Sequence, residues 1–270
     1  MPQQPSIAPS SSPLPFDRFP AETARATVGV LTDIDDTLTT GGAITPDALD
    51  ALAALRRAGI PVVAITGRPM GWSQPFVRDW PLEAIVAENG AVALFPDGRI
   101  EYTQDVPTRE RNAVRLREAA DAVQRELPGS LLARDSAGRV TDIAVDHSEF
   151  AHLSEAQIAR VVEVMRRHGM NASVSSIHVN GWFGGHDKLS GARWIVERCF
   201  GRRLDAEIGR WLYVGDSTND QAMFAAFPSS VGVANLLRFS DQLTVWPAYL
   251  ARGERGAGFA EVAHRLLAGR

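Results

Sequence analysis

The 270-residue sequence has little cysteine, little excess charge and no long apolar run, and each shortage argues against a class of protein. Cys199 is the single cysteine, so no intramolecular disulfide can form, and its neighbours indicate a helix carrying an unreactive thiol. The formal charge of −4 gives no support to the concentrated basic face that nucleic-acid binding needs. No apolar run approaches the ~20 residues that cross a bilayer. These features predict a globular protein of the reducing cytoplasm, without a nucleic-acid or membrane partner, and they leave its oligomeric state open.

The beginning of the chain also lacks an apolar core of the kind found in signal peptides. It is rich in Pro, Ser and Gln, a composition that buries too little apolar surface to fold. We therefore expect disorder from Met1 to about Pro15, and we assign residues 1–24 to a disordered leader.

The most informative stretch that is present runs from Val28 to Leu38, where an apolar run ends in three carboxylates and a threonine. A run of this kind predicts a buried parallel strand, and ligands bind just beyond the carboxyl ends of such strands. Asp33 and Asp35 are two residues apart, so extended backbone projects both from one side. Such a pair suits a hard divalent metal, or an ionised nucleophile beside a protonatable acid. Aspartates are also common in solvated turns, so this segment alone is moderately specific.

The segments that follow predict an α/β fold. Thr45 and Pro46 begin a predicted helix that stops at Gly59, and a second buried strand, IPVVAIT, comes next. Strand, helix and strand in this order predict a parallel, doubly wound sheet. Asn89-Gly90 lies between two apolar runs and predicts a hairpin.

The pattern changes between about residues 105 and 185. A charged helical stretch precedes RVTDIAVDH, whose alternation predicts a strand with an exposed face, and Ser154 is a good N-cap for a further helix. We therefore predict a Rossmann-like core from residues 25–104 and 186–270, with an α+β cap inserted at residues 105–185.

Further polar groups follow the other predicted core strands. Thr66 ends the second strand, and Gly67 permits close backbone approach, so this turn could hold an anion. Lys188 begins a helix and could neutralise a phosphoryl group, while Gly215–Asp220 ends a third apolar run with two acids. Each segment alone is equally well explained by an ordinary turn, a solvated lysine or helix capping. Their coincidence at strand ends is difficult to ascribe to capping.

The ordered set of motifs resembles the haloacid dehalogenase-like superfamily of aspartate-nucleophile phosphohydrolases. Asp33–Thr37 matches the family's DxDxT, Thr66 the second motif, Lys188 the third, and Asp216 with Asp220 the fourth, GDxxxD. The resemblance covers nearly everything from residue 28 to 270. The insertion resembles the large cap of the sucrose-phosphate, trehalose-phosphate and mannosyl-3-phosphoglycerate phosphatases and of the Cof-like phosphatases.

Two departures from the family pattern concern substrate and metal. Asp36 stands where many relatives carry glycine, an extra acid that need not face a metal. The segment HVNGWFGGHD before Lys188 differs from the form common in Cof-like members, which puts the substrate assignment in doubt.

The resemblance implies a magnesium-dependent phosphatase acting through an aspartyl-phosphate. Asp33 would attack phosphorus, and Asp35 would protonate the leaving alkoxide and then deprotonate water. Mg²⁺ would be held by the Asp33 carboxylate, the Asp35 backbone carbonyl and Asp216, with Asp220 orienting the ligands. The predicted phosphate-binding residues are Thr66, Gly67, Lys188 and Asn219.

The cap is expected to select the substrate, a small phosphate ester that we take to be a sugar phosphate. His178, Asn180 and Trp182 alternate along one predicted strand and could face the site together, or form an ordinary packed face. Arg68 could pair with an anionic substrate group or form a surface salt bridge.

Three competing functions remain to be weighed. A mutase uses the same motifs, but its smaller cap follows the first motif, where this chain has only a short link. A dehalogenase lacks the acid corresponding to Asp35. A non-catalytic protein retaining the fold would have lost Asp33, Asp35 or Lys188, and all are intact.

Overall fold

The computed structural model describes residues 12–268, which form a large sheet, a smaller second sheet and a short hairpin. The strands in chain order are β1 Leu14–Pro15, β2 Gly29–Thr32, β3 Thr39–Thr40, β4 Ala43–Ile44, β5 Val62–Ile65, β6 Ala84–Ala87, β7 Val92–Leu94, β8 Ile100–Tyr102, β9 Leu131–Leu132, β10 Asp142–Asp146, β11 Asn171–Val174, β12 His178–Trp182, β13 Trp211–Gly215, β14 Ser229–Gly232 and β15 Tyr249–Leu250. The helices are α1 Ala21–Ala26, α2 Pro46–Arg57, α3 Met70–Asp79, α4 Val106–Glu126, α5 Glu155–Arg167, α6 Lys188–Phe200, α7 Leu204–Glu207, α8 Gln221–Ala226 and α9 Arg255–Ala268.

The large sheet has the strand order β1-β15-β14-β13-β2-β5-β6-β7-β8. Pairing is parallel from β1 to β6, and the β6-β7 and β7-β8 pairs are antiparallel. The predicted Asn89-Gly90 hairpin is confirmed as the β6-β7 connection. The predicted α/β class, a doubly wound core with an inserted cap, is confirmed.

The central strands are apolar on both faces because helices cover the sheet from both sides. One face packs on α2, α3 and α9, with Leu52, Val77 and Phe259 in a common core. The other packs on α6, α7 and α8, with Ile195 and Phe224 in a second core. This burial holds the strand ends in fixed positions.

The second sheet belongs to the cap module, for which we keep the name cap and the bounds 105–185. Its four antiparallel strands have the order β11-β12-β10-β9. Helices α4 and α5 cover one face, where Val123, Val164 and Val179 share a core. The opposite face contacts the Rossmann-like core through Asn180, whose amide donates to the Gly67 carbonyl (3.2 Å).

The prediction of an exposed face on β10 is wrong. Asp142 and Asp146 lie on the face away from α4 and α5, and both are buried. Arg139 donates to both carboxylate oxygens of Asp142 (2.9 Å each). Asp146 accepts from the backbone amides of residues 148–151. Polar and apolar residues alternate along β10 because one face of the strand is buried among polar groups. Sequence periodicity alone does not distinguish such a face from one exposed to solvent.

The predicted leader is also wrong over residues 12–24, while residues 1–11 lie outside the described part of the chain. Strand β1 pairs with β15 at the sheet edge, and α1 packs on α9. Phe16 and Phe19 are buried, and the Phe19 ring contacts the rings of Phe16 and Tyr249 at centroid distances of 5.1 Å. Burial of the two phenylalanine side chains therefore orders this segment, although its composition, rich in Pro and Ser, predicted disorder.

Phe19→Ala is expected to lower the free energy of unfolding by about 3–5 kcal/mol, because it leaves a large cavity in a packed cluster. Leu14→Ala, at an exposed side chain of β1, is the control and is expected to change stability by less than about 0.5 kcal/mol. Urea unfolding measures both. Equal stability of Phe19→Ala and wild type would show that this segment contributes nothing to the fold.

Within residues 12–268, no helix is both long and apolar enough to span a bilayer.

Candidate active site

Four neighbouring strands of the large sheet end at polar residues, and these ends form the site. Asp33 follows β2, Thr66 follows β5, Glu88 follows β6 and Asp216 follows β13. The strand order β13-β2-β5-β6 brings these ends together at one edge. The sheet topology thus brings together segments that lie far apart in the sequence.

Lys188 reaches the same edge because its helix begins against the β6-β7 turn. Gly90 has φ +106°, and a Cβ on it would lie 2.2 Å from the Asp187 carbonyl oxygen. A Cβ on Gly191 would lie 2.7 Å from the Gly90 Cα. This close backbone approach needs glycine at both positions, and it brings the first turn of α6 to the site.

Lys188 bridges two of the acids. Its Nζ donates to Asp33 Oδ1 and Asp220 Oδ1 (2.7 Å each) and to Asn219 Oδ1 (3.3 Å). The lysine and both aspartates are buried, so these are charge-assisted bonds in a site largely closed to water. The structure therefore brings together the predicted nucleophile, the third-motif lysine and the fourth motif.

Both carboxylate oxygens of Asp220 accept hydrogen bonds. Its Oδ2 accepts the backbone amides of Asp216 (2.9 Å) and Ser217 (3.2 Å), and its Oδ1 accepts the Tyr213 hydroxyl as well as Lys188. These four donors fix the loop that carries Asp216. Asp220 thus fixes its neighbours in place, and its role in orienting the ligands of a metal stays a prediction.

The electrostatics of the site leave unbalanced negative charge. Burial raises the pKa of Asp33 to about 7, against the opposing effect of Lys188, and Asp220 and Asp35 raise it further. Burial and the Asp33 carboxylate also raise the pKa of Asp216 well above its ordinary value. Burial alone would lower the pKa of Lys188, but Asp220 and Asp33 raise it. One ammonium group among several carboxylates does not neutralise them.

The donor set fits a divalent cation. Asp33, Asp216 and Asp220 each present an oxygen, and these oxygens lie within 4.8 Å of one another. Among the residues that the structure describes, Asp216 Oδ1 is buried without a hydrogen-bond partner, whereas its Oδ2 accepts from Asn235 (3.1 Å). Carboxylate oxygens of this kind are the ligands that Mg²⁺ prefers. Asp216 thus has a buried oxygen without a hydrogen bond, and the neighbouring Asp33 has a raised pKa. A bound cation would stabilise both carboxylates in their ionised form.

Asp36, the extra acid of the first motif, turns away from this cluster. Its backbone has φ +55°, a conformation that favours glycine, and its carboxylate accepts from Arg255 Nε (2.8 Å). Its carbonyl accepts from Asn235 (3.0 Å), the residue that also holds Asp216. Asp36 thus stabilises the loop by an ion pair on its outer side.

Asp35 lies on the opposite side, beside Arg68. Arg68 Nε donates to both oxygens of Asp35 (2.9 and 3.0 Å). Arg68 is buried, so the alternative of a surface salt bridge is wrong. Its contact with an anionic substrate group stays a prediction.

The predicted phosphate-binding groups lie around Asp33. The Thr66 hydroxyl oxygen accepts the Arg68 amide (3.0 Å), which leaves its hydrogen available to a ligand. A Cβ on Gly67 would lie 3.2 Å from Asn180 Oδ1, so this turn is closely packed. Asn219 Oδ1 accepts from Ser217 Oγ (2.9 Å) and Lys188, which orients its amide. Binding of phosphate by these residues stays a prediction.

The three predicted substrate contacts of the cap separate. His178 lies within 3.0 Å of Glu149 through Nε2, and Asn180 contacts Gly67 and Asp142, so both reach the boundary between core and cap. Trp182 does not join them: its indole NH donates to the His186 carbonyl (2.8 Å), and its ring stacks on His186. Trp182 lines a separate groove, so its predicted substrate contact has no support in this arrangement.

Sequence reasoning missed several polar residues at this boundary. Glu88, fully buried, accepts the amides of Met70, Val140 and Thr141. Arg139 donates to the Gly67 carbonyl (3.0 Å). Only Glu88 carried a signal in the sequence, because Glu88-Asn89-Gly90-Ala91 resembles the corresponding segment of the large-cap phosphatases; its partners in the cap carried none.

A cavity of about 310 Å³ opens next to Asp35. It lies between the β3-β4 hairpin and the cap loop that follows β10. The residues that border it include Asp35, Thr39, Arg68, Ser148, Glu149 and Phe150. The cavity therefore reaches the predicted acid Asp35, whereas the buried Asp33, Lys188 and Asp216 are not among the residues that border it.

Comparison with known proteins agrees with this geometry. Residues 30–121 match the family described as haloacid dehalogenase-like hydrolase. A phosphoglycolate phosphatase of Pyrobaculum neutrophilum is 26% identical over 245 residues, which cover 89% of this chain and 96% of that protein.

Solved structures share the whole fold. A protein of Thermoplasma acidophilum superposes with a TM-score of 0.67 at 16% identity, covering 89% of this chain and 98% of its own. The sucrose-phosphatase of Synechocystis, solved with sucrose and phosphate, gives 0.65 at 18% identity with the same coverage. Residues 30–121 thus match the haloacid dehalogenase-like hydrolase family, and the chain as a whole shares the fold of these solved structures.

Proposed function

We propose that this phosphatase hydrolyses a small phosphorylated metabolite, a sugar phosphate, through an aspartyl-phosphate on Asp33 and with Mg²⁺ as cofactor. The observation that carries the proposal is the buried contact of Asp33 with Lys188 beside the partnerless oxygen of Asp216. A nucleophile, a fixed cation and a vacant carboxylate oxygen are the groups that phosphoryl transfer to a carboxylate requires.

In the first step an Asp33 oxygen bonds to phosphorus, and the bond between phosphorus and the ester oxygen breaks. Asp35 donates its proton to the departing alkoxide. In the second step Asp35 takes a proton from water, whose oxygen attacks phosphorus and releases Asp33. Arg68 holds the Asp35 carboxylate at the edge of the cavity into which the alcohol would leave.

Lys188, Thr66, the Gly67 amide and Asn219 would bind the phosphoryl oxygens. Their task is to stabilise the charge spread over the transferring group, which is the main catalytic demand in this chemistry. Asp33, Asp216 and the Asp35 carbonyl would hold the metal ion. Bound Mg²⁺ supplies further neutralisation of the phosphoryl charge.

The sugar-phosphate assignment is supported by the cavity of about 310 Å³ and by the shared fold of the sucrose-phosphatase. A second candidate substrate is 2-phosphoglycolate, because the Pyrobaculum neutrophilum relative is named for it. A mutase is not favoured, since only the β3-β4 hairpin and its short link separate β2 from α2.

A phosphate-release assay over a panel of sugar phosphates and 2-phosphoglycolate tests both candidates. With Mg²⁺ we expect one compound to exceed the rest by about 100-fold in kcat/KM, which corresponds to about 2.7 kcal/mol. Treatment with EDTA is expected to lower that rate by at least about 100-fold, and added Mg²⁺ to restore it. Full activity in EDTA would refute the metal, and no hydrolysis of any ester would refute the function.

A further inference from the structure

Arg68 joins the predicted acid–base residue to the cap. It follows the Thr66-Gly67 turn of the core, and its side chain is only 5% exposed. Its Nε faces Asp35, as described, and its guanidinium lies over the Trp72 ring, 4.8 Å from the centroid. A planar guanidinium group held in this way fixes the orientation of the Asp35 carboxylate.

The other edge of the guanidinium contacts two acids of the cap. Arg68 Nη2 donates to Glu149 Oε1 (2.8 Å), and Nη1 donates to Asp135 Oδ2 (3.2 Å). Asp135 is shared with Arg139, whose Nη2 lies 3.1 Å from Asp135 Oδ1. Within residues 12–268, Glu149 pairs with no arginine other than Arg68, so it is the principal counterpart of Arg68 in the cap.

Glu149 is itself firmly placed. It lies in the loop after β10, where the buried Asp146 carboxylate accepts four successive backbone amides, from residues 148–151. His178 Nε2 lies 3.0 Å from Glu149 Oε2. Burial would raise the pKa of Glu149, but hydrogen bonds from His178 and Arg68 lower it to about 2. Glu149 is thus an ionised, oriented partner.

The consequence follows from the cost of leaving a buried cation unpaired. A cap displaced from the core would remove Glu149 and Asp135, and the guanidinium would then reorient to find water or other partners. Asp35 would then lose the guanidinium group that donates to both of its carboxylate oxygens. We propose that Arg68 is a positioning residue that makes the placement of Asp35 depend on the seating of the cap, with Glu149 as its counterpart. This inference rests on the proposed function, since it assigns Asp35 the acid–base step.

The location of the contact agrees with that role. Asp35, Arg68 and Glu149 all border the cavity in which the leaving alcohol would lie. The acid–base group is therefore held at the cavity wall only when the cap closes that wall, which couples proton transfer to exclusion of water.

Glu149→Gln tests the inference, because glutamine keeps the shape of the side chain and removes its charge. With p-nitrophenyl phosphate we expect kcat to fall about 10-fold and KM to change by less than about threefold, as for loss of a positioned acid–base group. Glu126→Gln is the matched control: Glu126 bridges Arg160 and Arg167 within the cap, away from the cavity. It is expected to keep wild-type kinetics.

A double-mutant cycle separates positioning from a general structural effect. In an Asp35→Asn background, Glu149→Gln is expected to change the rate by less than about twofold, since the group that it positions is gone. Nitrophenolate leaves without a proton, so Asp35→Asn still forms the phosphoenzyme. Hydrolysis of that intermediate, which lacks its base, then sets a low rate that is measured at high enzyme concentration. A further 10-fold loss in the double variant, or unchanged kcat in Glu149→Gln alone, overturns the inference. Absence of hydrolysis by the wild type would instead overturn the proposed function.

Discussion

Asp33→Asn is expected to abolish turnover, with kcat lower by about 10⁴-fold or more, because an amide oxygen does not form the phosphorylated intermediate. The fold is expected to survive. The amide oxygen can still accept from Lys188, and the substitution removes a buried carboxylate whose pKa is raised to about 7 by desolvation. Phosphate release from the preferred ester, together with circular dichroism and urea unfolding, measures the two effects.

Asp205→Asn is the control for removal of one negative charge. Asp205 forms an exposed ion pair with Arg193 and lies outside the site. We expect it to keep wild-type activity. Steady-state hydrolysis by Asp33→Asn at a rate near that of the control would contradict the assignment of the nucleophile.

Lys188→Met is expected to abolish activity and to lower the free energy of unfolding by about 3–5 kcal/mol at neutral pH. The ammonium group is the only cation in hydrogen-bond contact with Asp33 and Asp220 among the residues that the structure describes. Methionine keeps the length of the side chain, so the loss reports the missing charge. Urea unfolding without divalent metal measures it.

The stability deficit of Lys188→Met is expected to depend on pH. Asp33 has a pKa raised above its unfolded value, so its folded state retains a proton at low pH and is penalised as pH rises through about 7. Lys188 opposes that rise, and its removal extends the penalty. The deficit is therefore expected to be larger near about pH 8 than near about pH 5, where the lost contact with Asp220 still contributes. A deficit that is equal at both pH values, or absent, would contradict this account, and Lys188→Arg, which keeps the charge, is expected to lose less stability.

The catalytic edge was predictable because each acid or hydroxyl directly follows an apolar run. Asp33, Thr66 and Asp216 end strands that are buried on both faces, and parallel strands place their carboxyl ends together. Local pattern was enough for these positions. The pairing order of the strands lay beyond local pattern.

The boundary between core and cap was not predictable in the same way. Arg68 and Glu149 are 81 positions apart, and nothing in either neighbourhood indicates their contact. The alternation that predicted an exposed face on β10 in fact carries buried Asp142, because its partner Arg139 comes from the preceding loop. Composition likewise misjudged the segment around Phe16, whose packing depends on Tyr249. In each case a distant partner decides the burial of a polar or isolated apolar side chain.

Lys188 has a further consequence, because it is the only lysine in the sequence and every other formal cation among Lys and Arg is a guanidinium. Its Nζ lies inside the site, so no lysine on the outer surface is open to acetylation or to amine-directed labelling. An aldehyde carrying a phosphate group would meet the single ε-amine of the chain at the place where the phosphate itself is expected to bind. The lysine chemistry of this protein is thus confined to its catalytic centre.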